Sequence, residues 1–537
     1  MRKRLFFLVV SFLLLFALLL VGCSKDKEKN TGSNNNNINI PETSANEPVY
    51  GGVLHRHLSS DVASPIGVPW EMNPYGHGMA LPALEHLMYE DGDGNLHGIL
   101  ATDWTIAPDH SSVTINLRKG VKFHDGTDWN AQAAKWNIDK WIEAKLDTAS
   151  FFESVDILDD YTIRINLKSW NNTILSYSLA GWNAQMISPT SFEKNGIEWA
   201  RYHPVGTGPF KFVSYTRDVN IVYEKNPDYW QEGRPYLDGI VYDVIPDLTT
   251  ASMAFKSGKV HEVSGLPPGA ISADLRDSGY NYVTTDHLVN TIDTIFPSSG
   301  NPNSPFADKR VREAVEYAID KEALINAVGF GFLKAAYQLA PAGHKAYQQE
   351  LQARTYNPEK AKQLLAEAGY PNGFSTRILP NPSVISKDTG VAIQNYLDAV
   401  GIKASVDFID FGQWAEMAFT SGWDGLLLDK TGLFPGMTKG LSFYFSGAPG
   451  SQFTAGLKFP DEYYQALNEA LSTTYPEVDK VKRVLKILYD EVIAIPYAET
   501  PMWAFLYPGV HESPEDLKFD IPPYTFSNNV WMEKDLH

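Results

Sequence analysis

The chain has 537 residues, yet few of its side chains are grouped with the spacing that chemistry requires. His55 and His57 are two apart, so on a strand both imidazoles would point the same way and could offer nitrogen to a metal. His77 and His86 could add to such a set, although isolated histidines are ordinarily surface groups or satisfied core groups. Asp91, Asp93 and Asn95 open like a calcium loop. The position that needs glycine is Leu96 and the position that needs a bidentate acid is Thr102, so a polar turn is expected there instead. Asp159 and Asp160 read as a solvated turn. His261-Glu262 and His511-Glu512 lack the second histidine of a zinc helix, and neither a phosphate loop nor a serine elbow occurs. No cofactor is expected. A secreted glycoside hydrolase stays open as a different class, since it needs only two facing acids in an aromatic cleft, but no pair stands out.

Cys23 is the one residue whose position itself implies chemistry, and the chain has no other cysteine. No intrachain disulfide can form. Arg2, Lys3 and Arg4 precede an apolar run over residues 5–21, the order of a secretory signal. Leu20, Val21, Gly22 and Cys23 resemble a bacterial lipobox, which implies cleavage after residue 22 and lipid on Cys23. Residues 23–48 are polar, with Asn34, Asn35, Asn36 and Asn37 in a row, and lack the apolar groups that repay ordering. A disordered tether is expected there. The 45 Lys+Arg against 64 Asp+Glu leave a net charge of -19. That charge argues against nucleic acid as a partner and against adhesion to anionic lipid, so the lipid must do the anchoring.

The body that follows must position whatever site exists, and its pattern is mixed α/β. Ser112–Leu117, residues 161–167, 208–213 and 219–224 alternate apolar and polar residues as half-buried strands do. Asn357 and Pro358 open a helix that Gly369 closes. Residues 308–328 read as a second helix and residues 394–400 as a third, ended by Gly401 and followed by a strand over 402–409. The Pro-, Ser- and Asn-rich loop 296–308 is the best boundary between two halves.

Several motifs, well separated and in order, resemble the extracytoplasmic solute-binding proteins of family 5, which serve peptide and nickel ABC importers. They are residues 93–104 (DGNLHGILATDW), residues 117–127 (LRKGVKFHDGT), residues 204–210 (PVGTGPF) with 226–230 (NPDYW), and residues 305–315 (PFADKRVREAV) with 318–321 (AIDK). The resemblance implies an α/β, two-lobed periplasmic-binding-protein fold of type II, cluster C, with an extra domain on the first lobe. Lobe I would combine residues 49–90, 201–290 and 495–537. The extra domain II would span 91–200 and lobe III 291–494, with hinge strands near 291–296 and 495–503. The implied role is a monomeric, non-enzymatic receptor that closes on a ligand and presents it to a permease powered by a separate ATPase.

The ligand is less defined. Peptide-binding members carry an acid in the second lobe that pairs with the peptide amine. Here the matching stretch, residues 421–435 (SGWDGLLLDKTGLFP), places Leu433 at the acid position and Lys430 at the preceding tryptophan position. Asp429 could substitute only with a register shift. Lys430 could instead face a carboxylate. Trp70, Tyr75, Trp182, Trp414, Trp423, Phe443, Tyr444 and Trp503 are aromatic candidates for the cleft, and Ser59, Asp61, Asn183 and Thr431 are polar ones. A short peptide is the leading ligand, with a nickel or other metal chelate and an oligosaccharide as alternatives.

Overall fold

Alternating strands dominate the first part of the body, and the computed structural model describes residues 47–537 apart from 63, 92–93, 285–290, 353, 433–437, 448–450 and 512–527. Cys23, the signal segment and nearly all of the tether therefore lie outside the described residues. Ser112–Leu117 and Thr162–Leu167 form as the alternation predicts, burying every second side chain. With Ala101–Ile106 and Phe152–Asp159 they make a four-stranded antiparallel sheet. The helix Ala131–Glu143 lies against this sheet, capped by the Asn130 side chain, and its Ile138 and Trp141 are buried in the same core.

Two larger sheets carry the rest. The first has seven strands in the order Asn281–Thr284, Trp503–Leu506, Glu262–Ser264, Val53–Leu58, Gly239–Val244, Asn220–Lys225, Phe210–Thr216. The second has six, in the order Lys334–Ala335, Ile495–Thr500, Thr291–Pro297, Leu426–Thr431, Phe374–Pro380, Ile402–Val406. The chain passes from the first sheet to the second between residues 284 and 291, and returns between Thr500 and Trp503. The first passage falls upstream of the loop 296–308 expected as the boundary. That loop instead folds into the second sheet's side, where Phe306 is fully buried.

Alternation along Thr291–Pro297 and Leu426–Thr431 feeds two cores. Phe296 and Leu427 face one apolar cluster, and Ile295, Leu426 and Leu428 face another. Burial on both faces is why successive positions are apolar at Ile295 and Phe296 and at Leu426, Leu427 and Leu428.

Helix punctuation follows the sequence in part. Asn357 caps Pro358–Glu367 by accepting the Lys360 N–H, and Gly369 follows it at φ +96. The expected helix over 308–328 is instead two, Lys309–Ala318 and Lys321–Val328. Asp320 is the reason: its carboxylate accepts the Ala323 N–H and starts a new helix, while Ile319 turns to an extended conformation. The third helix begins earlier than expected, at Lys387, because Ser386 caps it through the Thr389 N–H. Its following strand ends at Val406 rather than at 409.

Candidate functional site

Two aspartates interrupt the apolar strands at the centre of the six-stranded sheet, and the site is built around them. Thr291–Pro297 and Leu426–Thr431 run antiparallel, with Asp293 opposite Lys430 and Thr294 opposite Asp429. Directly opposed residues share a face, so Asp293 and Lys430 project from one side of the sheet and Asp429 from the other.

On the first side, the Lys430 ammonium lies 3.6 Å from Asp293 Oδ1, with the two side chains 21% and 9% exposed. Thr500 Oγ1 donates to the same oxygen at 3.0 Å. Burial raises the Asp293 pKa, opposed by Lys430 and Thr500. At 3.6 Å the ion pair is loose, so the ammonium retains donors for a further acceptor.

On the second side, Asp429 is buried. Its Oδ1 accepts Asn381 Nδ2 at 2.9 Å and its Oδ2 accepts Gln452 Nε2 at 2.8 Å. Burial pushes its pKa up to about 7, against those hydrogen bonds and with a smaller upward push from Asp293. Asn381 follows the strand Phe374–Pro380 and is tied back by its N–H to Leu428 O. Asp429 therefore fastens two separate loops to one strand end. Tyr497, whose buried hydroxyl has no hydrogen-bond partner among the described residues, feels both carboxylates. The cluster stands at the C-terminal ends of Leu426–Thr431 and Phe374–Pro380, the place where open α/β sheets bind ligands.

Of the residues singled out from the sequence, Lys430 and Thr431 belong to this cluster. Thr431 is buried, donates to Ile292 O at 3.2 Å and meets Thr294 Oγ1. Tyr444 is buried, and burial together with Asp429 raises its pKa. Phe443 is half-buried edge-on to Tyr444. Trp414 and Trp423 sit in the adjoining apolar core, with Trp423 Nε1 donating to Phe296 O. Trp503 fills a separate core, stacked on Phe332.

The others lie on the first sheet's side. Asp61 accepts the Tyr215 hydroxyl and the Val62 and Asp218 N–H groups, which occupies both of its oxygens. Ser59 and Tyr75 are exposed. Trp70 packs edge-on to Trp136 and against Phe192. Asn183 is half-buried beside His77, and the Trp182 side chain lies outside the described residues.

His55, His57 and His77 each commit one ring nitrogen to a protein acceptor. His55 Nδ1 donates to Asp243 at 2.7 Å, and buried His57 donates to Ile245 O at 2.9 Å. Buried His77 donates to Gln185 at 3.0 Å, and burial lowers its pKa to about 4. Asp91 accepts from Asn95 and His97, which closes the polar turn. Among the described residues no three His, Cys, Asp or Glu are placed to hold a metal ion.

Asp293, Asn381, Gln452 and Thr500 escaped the sequence reading. The available signal was an acid inside an otherwise apolar strand, as in Ile292-Asp293-Thr294-Ile295.

Comparison with known proteins agrees with this architecture. Residues 95–452 match the model of the bacterial extracellular solute-binding proteins, family 5. The glutathione-binding protein GsiB of Salmonella choleraesuis is 32% identical over 332 residues, which span 60% of this chain and 63% of that relative's length. GsiB of Salmonella paratyphi A is 30% identical over 76% of this chain and 80% of its own. Among solved structures, NikA from Brucella suis with Fe(III)-EDTA superposes at a TM-score of 0.78, with 23% identity over 90% of this chain and all of that one. DppA from Helicobacter pylori with the peptide STSA superposes at 0.75, with 22% identity over 90% of this chain and 99% of its own. The mixed α/β fold is thus that of the type II periplasmic binding proteins. The chain belongs to the family 5 bacterial extracellular solute-binding proteins, a class of binding proteins rather than enzymes.

Proposed function

We propose that this protein is the lipid-anchored extracytoplasmic receptor of an ABC importer and that it captures a short peptide through a carboxylate. The observation that carries the ligand class is Lys430. Its ammonium is mostly buried at a strand end, and its one ion pair among the described residues is a loose contact at 3.6 Å. An ammonium in that position favours an anionic group brought into the same desolvated region. A peptide supplies such a group at its C-terminus, and glutathione, the ligand named for the relatives, is a tripeptide with two carboxylates.

The lobes are proposed as residues 49–90, 201–290 and 495–537 for the first, with 91–200 as its extra domain and 291–494 as the second. The two chain passages between the large sheets support this division. Such passages are natural hinges, since a few residues absorb the whole rotation. Cys23 would hold the body to the membrane, where a permease and a separate ATPase complete transport.

Mass spectrometry of the small molecules released on gentle denaturation tests the ligand class. A short peptide bearing a free carboxylate is expected. Recovery of a sugar or a metal chelate in stoichiometric amount would refute it.

A further inference from the structure

We infer that Asn172, Trp170 and His110 form a clasp that fastens the extra domain to the second lobe and biases the receptor towards closure. The inference deepens the proposed function, because it rests on the reading of these regions as lobes that close.

The contacts link positions some three hundred residues apart. The helix Asp461–Leu471 ends at Ser472, and its last turn has no further helical N–H groups to satisfy its carbonyls. Asn172 supplies donors from across the boundary. Its backbone N–H donates to Leu471 O at 2.9 Å. Its side-chain Nδ2 donates to Ala470 O at 2.7 Å and to Thr473 Oγ1 at 3.0 Å. Trp170 Nε1 donates to Thr473 O at 3.0 Å. His110 stacks on the Trp170 ring at 4.7 Å, and its Nε2 meets Thr474 Oγ1 at 3.0 Å. His110 holds this place with φ +58, the left-handed region that side chains seldom adopt. Nearby, Lys439 of the helix Thr438–Phe445 stands 5.5 Å from the Tyr177 ring centroid.

Every partner in these bonds is a protein group, so the clasp adds stability to the closed arrangement that the ligand need not supply. Asn172 is 3% exposed and its Oδ1 has no hydrogen-bond partner among the described residues, so within them it acts purely as a donor. An amide is therefore required. A carboxylate of the same shape would set negative charge against two oxygens at the negative end of a helix.

The test is hydrogen exchange by mass spectrometry on the full chain, comparing wild type with Asn172→Asp and Trp170→Phe. In wild type, segments 168–175 and 468–476 should be protected, the Asn172 amide among them. Asn172→Asp should speed exchange in both by roughly tenfold, the size expected from losing one or two net hydrogen bonds. Trp170→Phe should produce a smaller rise in the same two segments. The helix Ala131–Glu143 should exchange unchanged, which separates opening from unfolding. Unaltered exchange in both segments in both variants would overturn the clasp. Calorimetry with glutathione as probe adds an independent reading, in which Asn172→Asp should weaken binding by a similar factor. Faster exchange with unweakened binding would overturn the coupling of clasp to ligand. Faster exchange with no glutathione binding by either protein would support the clasp and count against the peptide reading.

Discussion

Replacing Lys430 with methionine keeps the length of the side chain and removes its charge and donors. Two separate losses should follow. The first is affinity. Truncating one partner of a desolvated charge pair costs about 2–5 kcal/mol. Lys430 retains 21% exposure, which favours the lower part of that range. A loss of about 2–3 kcal/mol corresponds to roughly 30- to 150-fold weaker binding of a carboxylate-bearing peptide. The second loss is stability. Asp293 would keep only the Thr500 hydroxyl as a described partner, and its buried carboxylate would take up a proton more readily. The double variant Asp293→Asn/Lys430→Met removes the orphaned charge, so it should recover stability but not binding. Titration calorimetry with glutathione and urea unfolding measure the two quantities separately. Lys430→Met binding within about threefold of wild type, or binding restored in the double variant, would refute the assignment of Lys430 to the ligand.

Asp429 should make stability depend on pH in a direction unusual for a carboxylate. Its pKa rises from 3.8 to about 7 in the fold, so its contribution is complete at low pH and is lost as pH rises through that window. The loss is at most of order 4 kcal/mol. Asp429→Asn should therefore gain stability relative to wild type between pH 5 and pH 8 in urea titrations, and a constant difference would contradict the burial argument. Glu85, pushed up to about 7 by burial, acts in the same sense and keeps part of the slope in the variant. Arg56 and Glu262 meet at 2.6 Å with side chains 2% and 3% exposed. Glu262→Gln, which removes the countercharge from this buried pair, should cost about 3–5 kcal/mol, read as a lowered urea midpoint. Cys23→Ser should leave the protein unlipidated and move it out of the membrane fraction, checked by fatty-acid labelling and fractionation.

Local structure was legible wherever one residue type had one job. Asn357 with Pro358 marked a helix start, and alternation marked Ser112–Leu117. Asp320 was overlooked because its capping competed with an unbroken helical pattern on either side. The cluster was legible in the sequence only along one strand, through Asp429, Lys430 and Thr431. The partners Asp293 and Thr500 are remote in sequence, and antiparallel register alone brings them together. Aromatic composition cannot separate a surface ring from a core ring, and burial does so here. Trp414 is 1% exposed while Tyr75 is 58% exposed, though both read alike in the sequence.

The order of strands in the seven-stranded sheet also fixes a sequence of events during synthesis. Trp503–Leu506 lies between Asn281–Thr284 and Glu262–Ser264, so the facing edges of those two strands stay unpaired until residue 506 has emerged. A chain made from its N-terminus must hold these strand edges unpaired while some two hundred further residues arrive. Such edges invite pairing with other chains. Completion of the first sheet therefore waits for nearly the whole chain, and a chain cut short before Trp503 would leave both edges open for good.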